Sequence, residues 1–190
     1  SFYGKANAPV IVGGRYGLSS KDTTPAMINA VFNNLKLDQP KDHLTLGIND
    51  DIKYSSLDIT EEIDVIDPST TELLFFGLGS DGTVGACKNI SKIVGDYTDF
   101  YSQSYAAYDS KKSGGSTRLH LRFSKKPIRS TYLVNNPHFV SCSLDAYLEK
   151  FDMIDGLRDG GTFLLNTVVD ADHIEERLPN KYKRLLAQKN

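Results

Sequence analysis

The sequence has little cysteine, no long apolar run and almost no net charge. Its two cysteines, Cys87 and Cys142, have no Cys or His at metal-binding spacing, which excludes a disulfide framework and a cysteine-bound cluster. We interpret both as small buried residues of a reducing compartment. No stretch approaches the ~20 apolar residues of a membrane-spanning helix. A net charge of −2 gives no general attraction for nucleic acid or an anionic membrane, so we predict that the chain binds neither.

Recognisable catalytic groups are also missing. The four histidines are scattered along the chain, and no serine has an evident histidine partner. His120 alternates with leucines and is interpreted as structural. We therefore predict no catalytic residue and no metal site in this chain.

The most informative segment is residues 72–89, ELLFFGLGSDGTVGACKN. The apolar run at 73–76 predicts a strand buried on both faces, and apolar residues at helical spacing after Thr83 predict a helix. The glycine-rich turn between them, residues 77–85, is called the elbow below. Its glycines let a ligand approach the backbone, and the first amides of a helix attract phosphate. The alternative, which the pattern alone favours, is an ordinary tight turn with Ser80 or Asp81 as helix cap.

A basic segment follows the elbow. Seven positive residues fall within nineteen positions: Lys111, Lys112, Arg118, Arg122, Lys125, Lys126 and Arg129. Two of the arginines share one face of a half-exposed strand predicted at 117–123. One interpretation is a phosphate-binding patch, because guanidinium groups match phosphate oxygens. The other is a solvated strand face followed by a basic loop.

Strands alternate with helices over most of the chain, which predicts an α/β fold with a mostly parallel or mixed open sheet flanked by helices, after an N-terminal strand–helix segment. An irregular acidic connector covers 55–70, and we place a boundary at Asp67 and Pro68. The other predicted elements are strands at 9–12, 44–48, 100–108, 132–134, 139–141 and 162–165, a helix that begins after Asp22 or Thr23 and ends before Asp38, a short helix around Tyr147, and a charged C-terminal helix interrupted by Pro179.

Four blocks of sequence carry a family resemblance. They read GRYGLSSKDTTPAMINAVFNNL, GLGSDGTVGACKNISKIVG, YDSKKSGGSTRLHLRFSKKPIRSTYLV and GGTFLLNT. In this order they resemble a central region of the pyruvate:ferredoxin (flavodoxin) oxidoreductases. The resemblance implies that residues 1–68 are the end of a transketolase C-terminal-like domain with its connector. It also implies that 69–190 are a truncated, Rossmann-like 2-oxoacid oxidoreductase gamma-type domain.

The resemblance also implies a function for the full-length parent. It oxidatively decarboxylates pyruvate with coenzyme A to acetyl-CoA and reduces ferredoxin or flavodoxin. The thiamine diphosphate and iron–sulfur clusters bind outside this chain, which is inactive alone. The parent is expected to be a homodimer, in the cytoplasm or a hydrogenosome-type organelle, and this chain to contact its other domains.

The gamma-type domain resembles one implicated in coenzyme A binding, which combines the elbow and the basic segment into one expected site. Its residues are Ser80, Asp81, Gly82, Thr83, Gly85, Lys111, Lys112 and Arg129, with Lys21 in reserve. Two alternatives stay open. The domain is purely architectural and builds the dimer, or the same module belongs to a sulfite reductase flavoprotein or an NADP-linked pyruvate oxidoreductase.

Overall fold

A computed structural model describes residues 8–18, 21–108 and 115–189. The chain divides into two compact units, Ser1–Ile66 (unit 1) and Asp67–Asn190 (unit 2). The boundary that we placed at Asp67 and Pro68 adjoins this division. The assignment of the units to the two named domain types stays a prediction.

Unit 1 is a small strand–helix unit. Its elements are strand β1, Gly14–Arg15, helix α1, Pro25–Leu35, and strand β2, Leu44–Thr45. The two strands pair in parallel, and an isolated bridge joins Thr45 to Ser56. Helix α1 ends before Asp38 as predicted, but Thr24, rather than Asp22 or Thr23, caps its start by accepting a hydrogen bond from the amide of Met27.

Two predicted strands of unit 1 are wrong in extent. The strand predicted at 9–12 is displaced to Gly14–Arg15, where the carbonyls of Gly13 and Arg15 accept the amides of Leu44 and Leu46. The strand predicted at 44–48 ends after Thr45, because Gly47 follows with φ of +75° and turns the chain. The apolar composition of 9–12 and 44–48 predicted longer strands than form, because only two residues of each strand pair with the other strand.

Unit 2 is built on a five-stranded mixed sheet. Its strands are β3, Thr71–Leu78, β4, Tyr101–Tyr108, β5, Ser116–Ser124, β6, Phe139–Cys142, and β7, Thr162–Leu165. They lie in the order β4-β5-β3-β6-β7. Strands β4, β5 and β3 are antiparallel neighbours, whereas β3, β6 and β7 are parallel. The predicted α/β fold with a mixed open sheet is confirmed.

The helices of unit 2 flank this sheet. They are α2, Thr83–Tyr97, two short 3-10 helices, Asp145–Glu149 and Ala171–His173, and then α3, Ile174–Arg177, and α4, Asn180–Lys189. The short helix around Tyr147 is therefore a 3-10 helix, and the C-terminal helix is interrupted at Pro179 as predicted. Among the described helices, none combines the length and the apolar composition that a membrane span requires.

Strand β3 lies at the centre of the sheet and is covered on both faces, as its apolar run predicts. Leu74 and Phe76 pack into the larger core cluster, with Tyr147 and Ile154. Leu73 and Phe75 face the smaller cluster, which α2 completes. This central position holds the end of β3, and therefore the elbow, on a rigid support.

Two predictions for β5 and the segment that follows it are wrong. Strand β5 is not half-exposed: it lies between β4 and β3, and along it only Arg118 is exposed. Residues 132–134 form no strand. Instead the carbonyl of Tyr132 accepts a hydrogen bond from Arg122, and the amide of Val134 donates to His120, so this segment runs over β5.

Candidate functional site

The elbow makes a sharp connection between β3 and α2. Ser80 and Gly82 have φ of +68° and +89°, so the backbone is left-handed at both positions. A Cβ on Gly77 would lie 2.6 Å from the side chain of Thr83. Glycine is therefore required at the end of β3 for α2 to begin this close to the strand.

Asp81 closes the elbow from inside. Its carboxylate accepts the amides of Leu78 and Thr83, each at 2.8 Å. Partial burial raises the pKa of Asp81, but the bonds from Thr83 and Leu78 outweigh it, so the pKa lies below its usual value. Gly82, not Ser80 or Asp81, occupies the N-cap position, yet Asp81 supplies the acceptor that a capping side chain would. For the amides of Leu78 and Thr83, the geometry is therefore that of an ordinary tight turn, which was the alternative interpretation of the sequence.

Among the described residues, the outer side of the elbow is open. Apart from the adjoining residues and the backbone of α2, no described atom lies within 4 Å of the position that a Cβ would take on Gly82 or Gly85, and Ser80 is exposed. The amide of Ala86 bonds to the carbonyl of Gly82. The amides of Val84 and Gly85 precede this bond at the positive end of α2. This surface is where an anionic ligand can approach.

Two predicted site residues, Lys111 and Lys112, lie outside the described residues. The nearest described residue after them is Gly115, whose carbonyl accepts the amide of Gly79 at 3.4 Å. The end of β4 is also at this edge, since Tyr108 pairs with Thr117. The described residues on either side of the two lysines are thus close to the elbow.

Arg129 is not brought to the elbow. The carbonyl of its neighbour Ser130 accepts a hydrogen bond from the side chain of Gln103. Gln103 lies opposite Arg122 in the sheet, and Arg122 lies opposite Glu72 at the start of β3. Arg129 therefore belongs to this end of β3, and the six residues of strand from Glu72 to Leu78 in the elbow span about 20 Å. Lys21, the reserve candidate, is exposed and belongs to unit 1.

Arg122 of β5 belongs to a buried ion pair within the fold. Arg122, 3% exposed, donates from Nε to Glu72 at 2.8 Å and from Nη1 to Gln103 and to the carbonyl of Tyr132. Arg158 approaches the second carboxylate oxygen of Glu72 at 3.3 Å. The sequence analysis missed Glu72, although a lone acid beginning an apolar strand is a signal for a buried ion pair.

The two other titratable groups of β5 are Arg118 and His120. The Arg118 guanidinium lies 6.0 Å from the ring of Phe76. Burial, with the charges of Arg122 and Arg118, lowers the pKa of His120 to about 4, and its Nδ1 accepts the amide of Val134. His120 is therefore neutral and structural, as predicted.

The thiols show no sign of activation. Burial, helped by the charge of Asp81, raises the pKa of Cys87 to about 11, and burial also raises the pKa of Cys142. Within residues 8–18, 21–108 and 115–189, no three His, Cys, Asp or Glu side chains come together as metal ligands. The described residues therefore do not fit an iron–sulfur cluster.

Comparison with known families matches residues 72–189 to "Pyruvate ferredoxin/flavodoxin oxidoreductase". The chain is 50% identical over 188 residues to a pyruvate-flavodoxin oxidoreductase of Enterobacter agglomerans, covering 98% of this chain and 16% of that protein. It is 49% identical over 180 residues to a pyruvate:ferredoxin oxidoreductase of Moorella thermoacetica, covering 95% and 15%.

Two further proteins are less similar to the chain. A mitochondrial pyruvate dehydrogenase [NADP(+)] of Euglena gracilis is 42% identical over 180 residues, covering 94% of this chain and 10% of that protein. Among solved structures, a keto/oxoacid ferredoxin oxidoreductase gamma subunit from Geobacter sulfurreducens gives a TM-score of 0.43 at 18% identity, covering 58% of this chain and 55% of that one. The chain thus spans about 10 to 16% of the length of these curated relatives.

Proposed function

The chain belongs to the pyruvate ferredoxin/flavodoxin oxidoreductase family, and from this we propose that the full-length protein containing it oxidises pyruvate. Pyruvate and coenzyme A give acetyl-CoA, carbon dioxide and a proton, and two electrons pass to ferredoxin or flavodoxin. The identity of about half of all positions with the pyruvate oxidoreductases of Enterobacter agglomerans and Moorella thermoacetica supports this proposal. Thiamine diphosphate and the clusters supply the carbanion and single-electron chemistry when bound, and we assign both to parts of the protein outside these residues.

The test is an assay of the purified full-length protein. We expect pyruvate- and coenzyme A-dependent reduction of ferredoxin or flavodoxin, with release of carbon dioxide. Reduction of NADP in place of both carriers would instead favour the NADP-linked alternative, which the relative in Euglena gracilis supports. No acetyl-CoA with any of the three acceptors would contradict the proposal.

For this chain we propose a binding role without catalytic residues: the elbow holds the pyrophosphate of coenzyme A. The open outer side at Gly82 and Gly85, at the positive end of α2, carries this proposal. Ser80 adds a hydroxyl group and Thr83 its place in the first turn of α2, whereas the Thr83 hydroxyl itself shares a hydrogen bond with that of Ser143 at 3.0 Å. Lys111 and Lys112 stay candidates through their place in sequence, whereas we leave Arg129 out because it belongs to the opposite end of β3. The Asp81 carboxylate opposes an anion nearby and limits the affinity.

Two glycines of α2 provide a matched test. Gly85 and Gly95 lie on the same helix and both are exposed. At neither does a described atom, other than those of adjoining residues and of the helix backbone, lie within 4 Å of the place that a Cβ would occupy. In the full-length protein, Gly85→Leu fills the approach to the elbow, so calorimetry is expected to show at least about tenfold weaker coenzyme A binding, equivalent to about 1.4 kcal/mol. Gly95→Leu, at the far end of α2, is expected to bind as the unaltered protein does. Equal affinity of the two variants would contradict the elbow site.

An architectural role is the second candidate. It is favoured by the use of Arg122 in packing, because this buried guanidinium is not available as part of a phosphate patch. In that case full-length protein with Gly85→Leu keeps its coenzyme A affinity. The same calorimetric experiment thus separates the two roles.

A further inference from the structure

Helix α1 has an unusual composition for a helix at a protein surface. Its eleven residues, PAMINAVFNNL, include no charged side chain. Surface helices normally carry an apolar stripe towards the core and charged or polar residues on the opposite side. In α1 the polar residues are three asparagines and the other eight residues are apolar, so little of its surface suits contact with water.

Unit 1 itself covers only part of α1. On one side Met27 packs at Gly47, and the buried amide of Asn34 binds the backbone of Lys41 in both directions. A second side lines a partly open cavity of about 220 Å³, which Leu57, Asp58 and Glu61 of the connector also line. These contacts account for two sides of the helix.

The third side is apolar and uncovered. Ile28, Phe32 and Leu35 are 45%, 59% and 37% exposed. Their spacing of four and three residues places them in one row along the helix, called the α1 stripe below. The buried hydrophobic residues of the described part of unit 1 are only Leu44 and Leu46, so unit 1 is small for the apolar surface that it presents.

We propose that the α1 stripe packs against an apolar, uncharged face of the same polypeptide, in the part that lies outside these 190 residues. The relative in Enterobacter agglomerans aligns with 98% of this chain, unit 1 included, yet the alignment covers only 16% of that protein. Unit 1 therefore occurs within a much longer polypeptide, which supplies the additional surface. A charged partner is disfavoured, because its charges would lose water without gaining an ion pair on α1. The proposal rests on family membership and not on the proposed reaction or the coenzyme A site.

A photo-cross-linking experiment in the full-length protein identifies the occupant. Phe32 is replaced by p-benzoylphenylalanine, which keeps the aromatic ring in place, and the cross-linked peptides are identified by mass spectrometry. The expected product joins α1 to a peptide of the same chain outside the 190 residues. A cross-link to residues 67–190, a product of twice the chain mass, or no product would each overturn the proposal. The assay needs neither pyruvate nor coenzyme A, so a failed reaction leaves its outcome unaffected.

A matched position serves as the control. Ile52 is apolar and 83% exposed, but it lies in a turn and not in the stripe. The same probe at Ile52 is expected not to cross-link to the peptide found from Phe32, and equal yield there would overturn the proposal. As a second measurement, Phe32→Ser is expected to speed hydrogen exchange of the α1 amides at least about threefold in the full-length protein, and Ile52→Ser to leave it unchanged. Unchanged exchange in both variants would also overturn it.

Discussion

Replacing Glu72 by Gln tests the buried ion pair at the start of β3. The side chains of Glu72 and Arg122 are 3% and 4% exposed and meet at 2.8 Å. Glutamine keeps the shape and one acceptor but removes the negative charge, which leaves the Arg122 guanidinium buried without a counter-ion. Arg158 suffers less, because a third of its side chain is exposed and can turn to water. The loss therefore comes mainly from Arg122.

The expected size follows from this burial. Removing one partner of a buried pair costs about 3–5 kcal/mol, and the retained acceptor places Glu72→Gln near the lower end. Domains are stable by about 5–15 kcal/mol, so the loss is a large fraction of the total. With a urea dependence of about 2 kcal/mol per molar, the unfolding midpoint falls by about 1.5 M. Urea titration followed by circular dichroism measures this shift.

Two variants control the measurement. Lys126 pairs with Asp67 at 2.7 Å, but the two side chains are 67% and 34% exposed, so Lys126→Ala is expected to shift the midpoint far less. The double variant Glu72→Gln with Arg122→Met removes the unpaired charge and is expected to recover part of the loss. If Glu72→Gln shifts the midpoint no more than Lys126→Ala does, the reasoning about a buried, uncompensated guanidinium is wrong.

Three further predictions concern the elbow and β5. Because Gly77 lies against Thr83, Gly77→Ala is expected to lower the free energy of unfolding by about 1–3 kcal/mol. Gly85 lies in open space on α2, so Gly85→Ala is expected to raise it by about 0.5–1 kcal/mol. Equal urea midpoints of the two variants would contradict both expectations. Asp81→Ala removes the acceptor of two amides and is expected to cost about 0.5–2 kcal/mol, seen as faster exchange at the start of α2. The folded-state pKa of His120 is about 4, against an ordinary value of 6.5. As the pH drops, the unfolded chain therefore binds this proton before the folded chain does. The free energy of unfolding is expected to fall between pH 6.5 and pH 4, by about 2 kcal/mol at pH 4.5. Urea titrations at pH 7 and pH 4.5 test this, and His120→Asn should abolish that part of the loss.

Local sequence patterns predicted much of unit 2. The apolar run that became β3 and the helical spacing that became α2 both depend on residues at most four positions apart. The same holds for Pro179, which separates α3 from α4. The family was also identifiable from four sequence blocks, and the match over 72–189 confirms it.

The position and partners of the charged residues were not predictable in this way. Arg118 and Arg122 share a strand face, as alternation requires, but whether that face meets water or another layer depends on segments far away in sequence. The antiparallel register of β3 with β5 places Arg122 opposite Glu72, fifty positions earlier. That pairing places Arg122, one member of the predicted phosphate patch, in the core.

The amino-acid sequence alone determined the family, the α/β class and the elbow between β3 and α2, because short-range periodicity and the placement of glycines encode them. Only the assembled sheet decided which charges are buried, that Asp81 takes two of the amides of the elbow, and that Arg129 belongs to the other end of β3. The physical reason is that strand register joins residues separated by tens of positions, and no local pattern specifies that register.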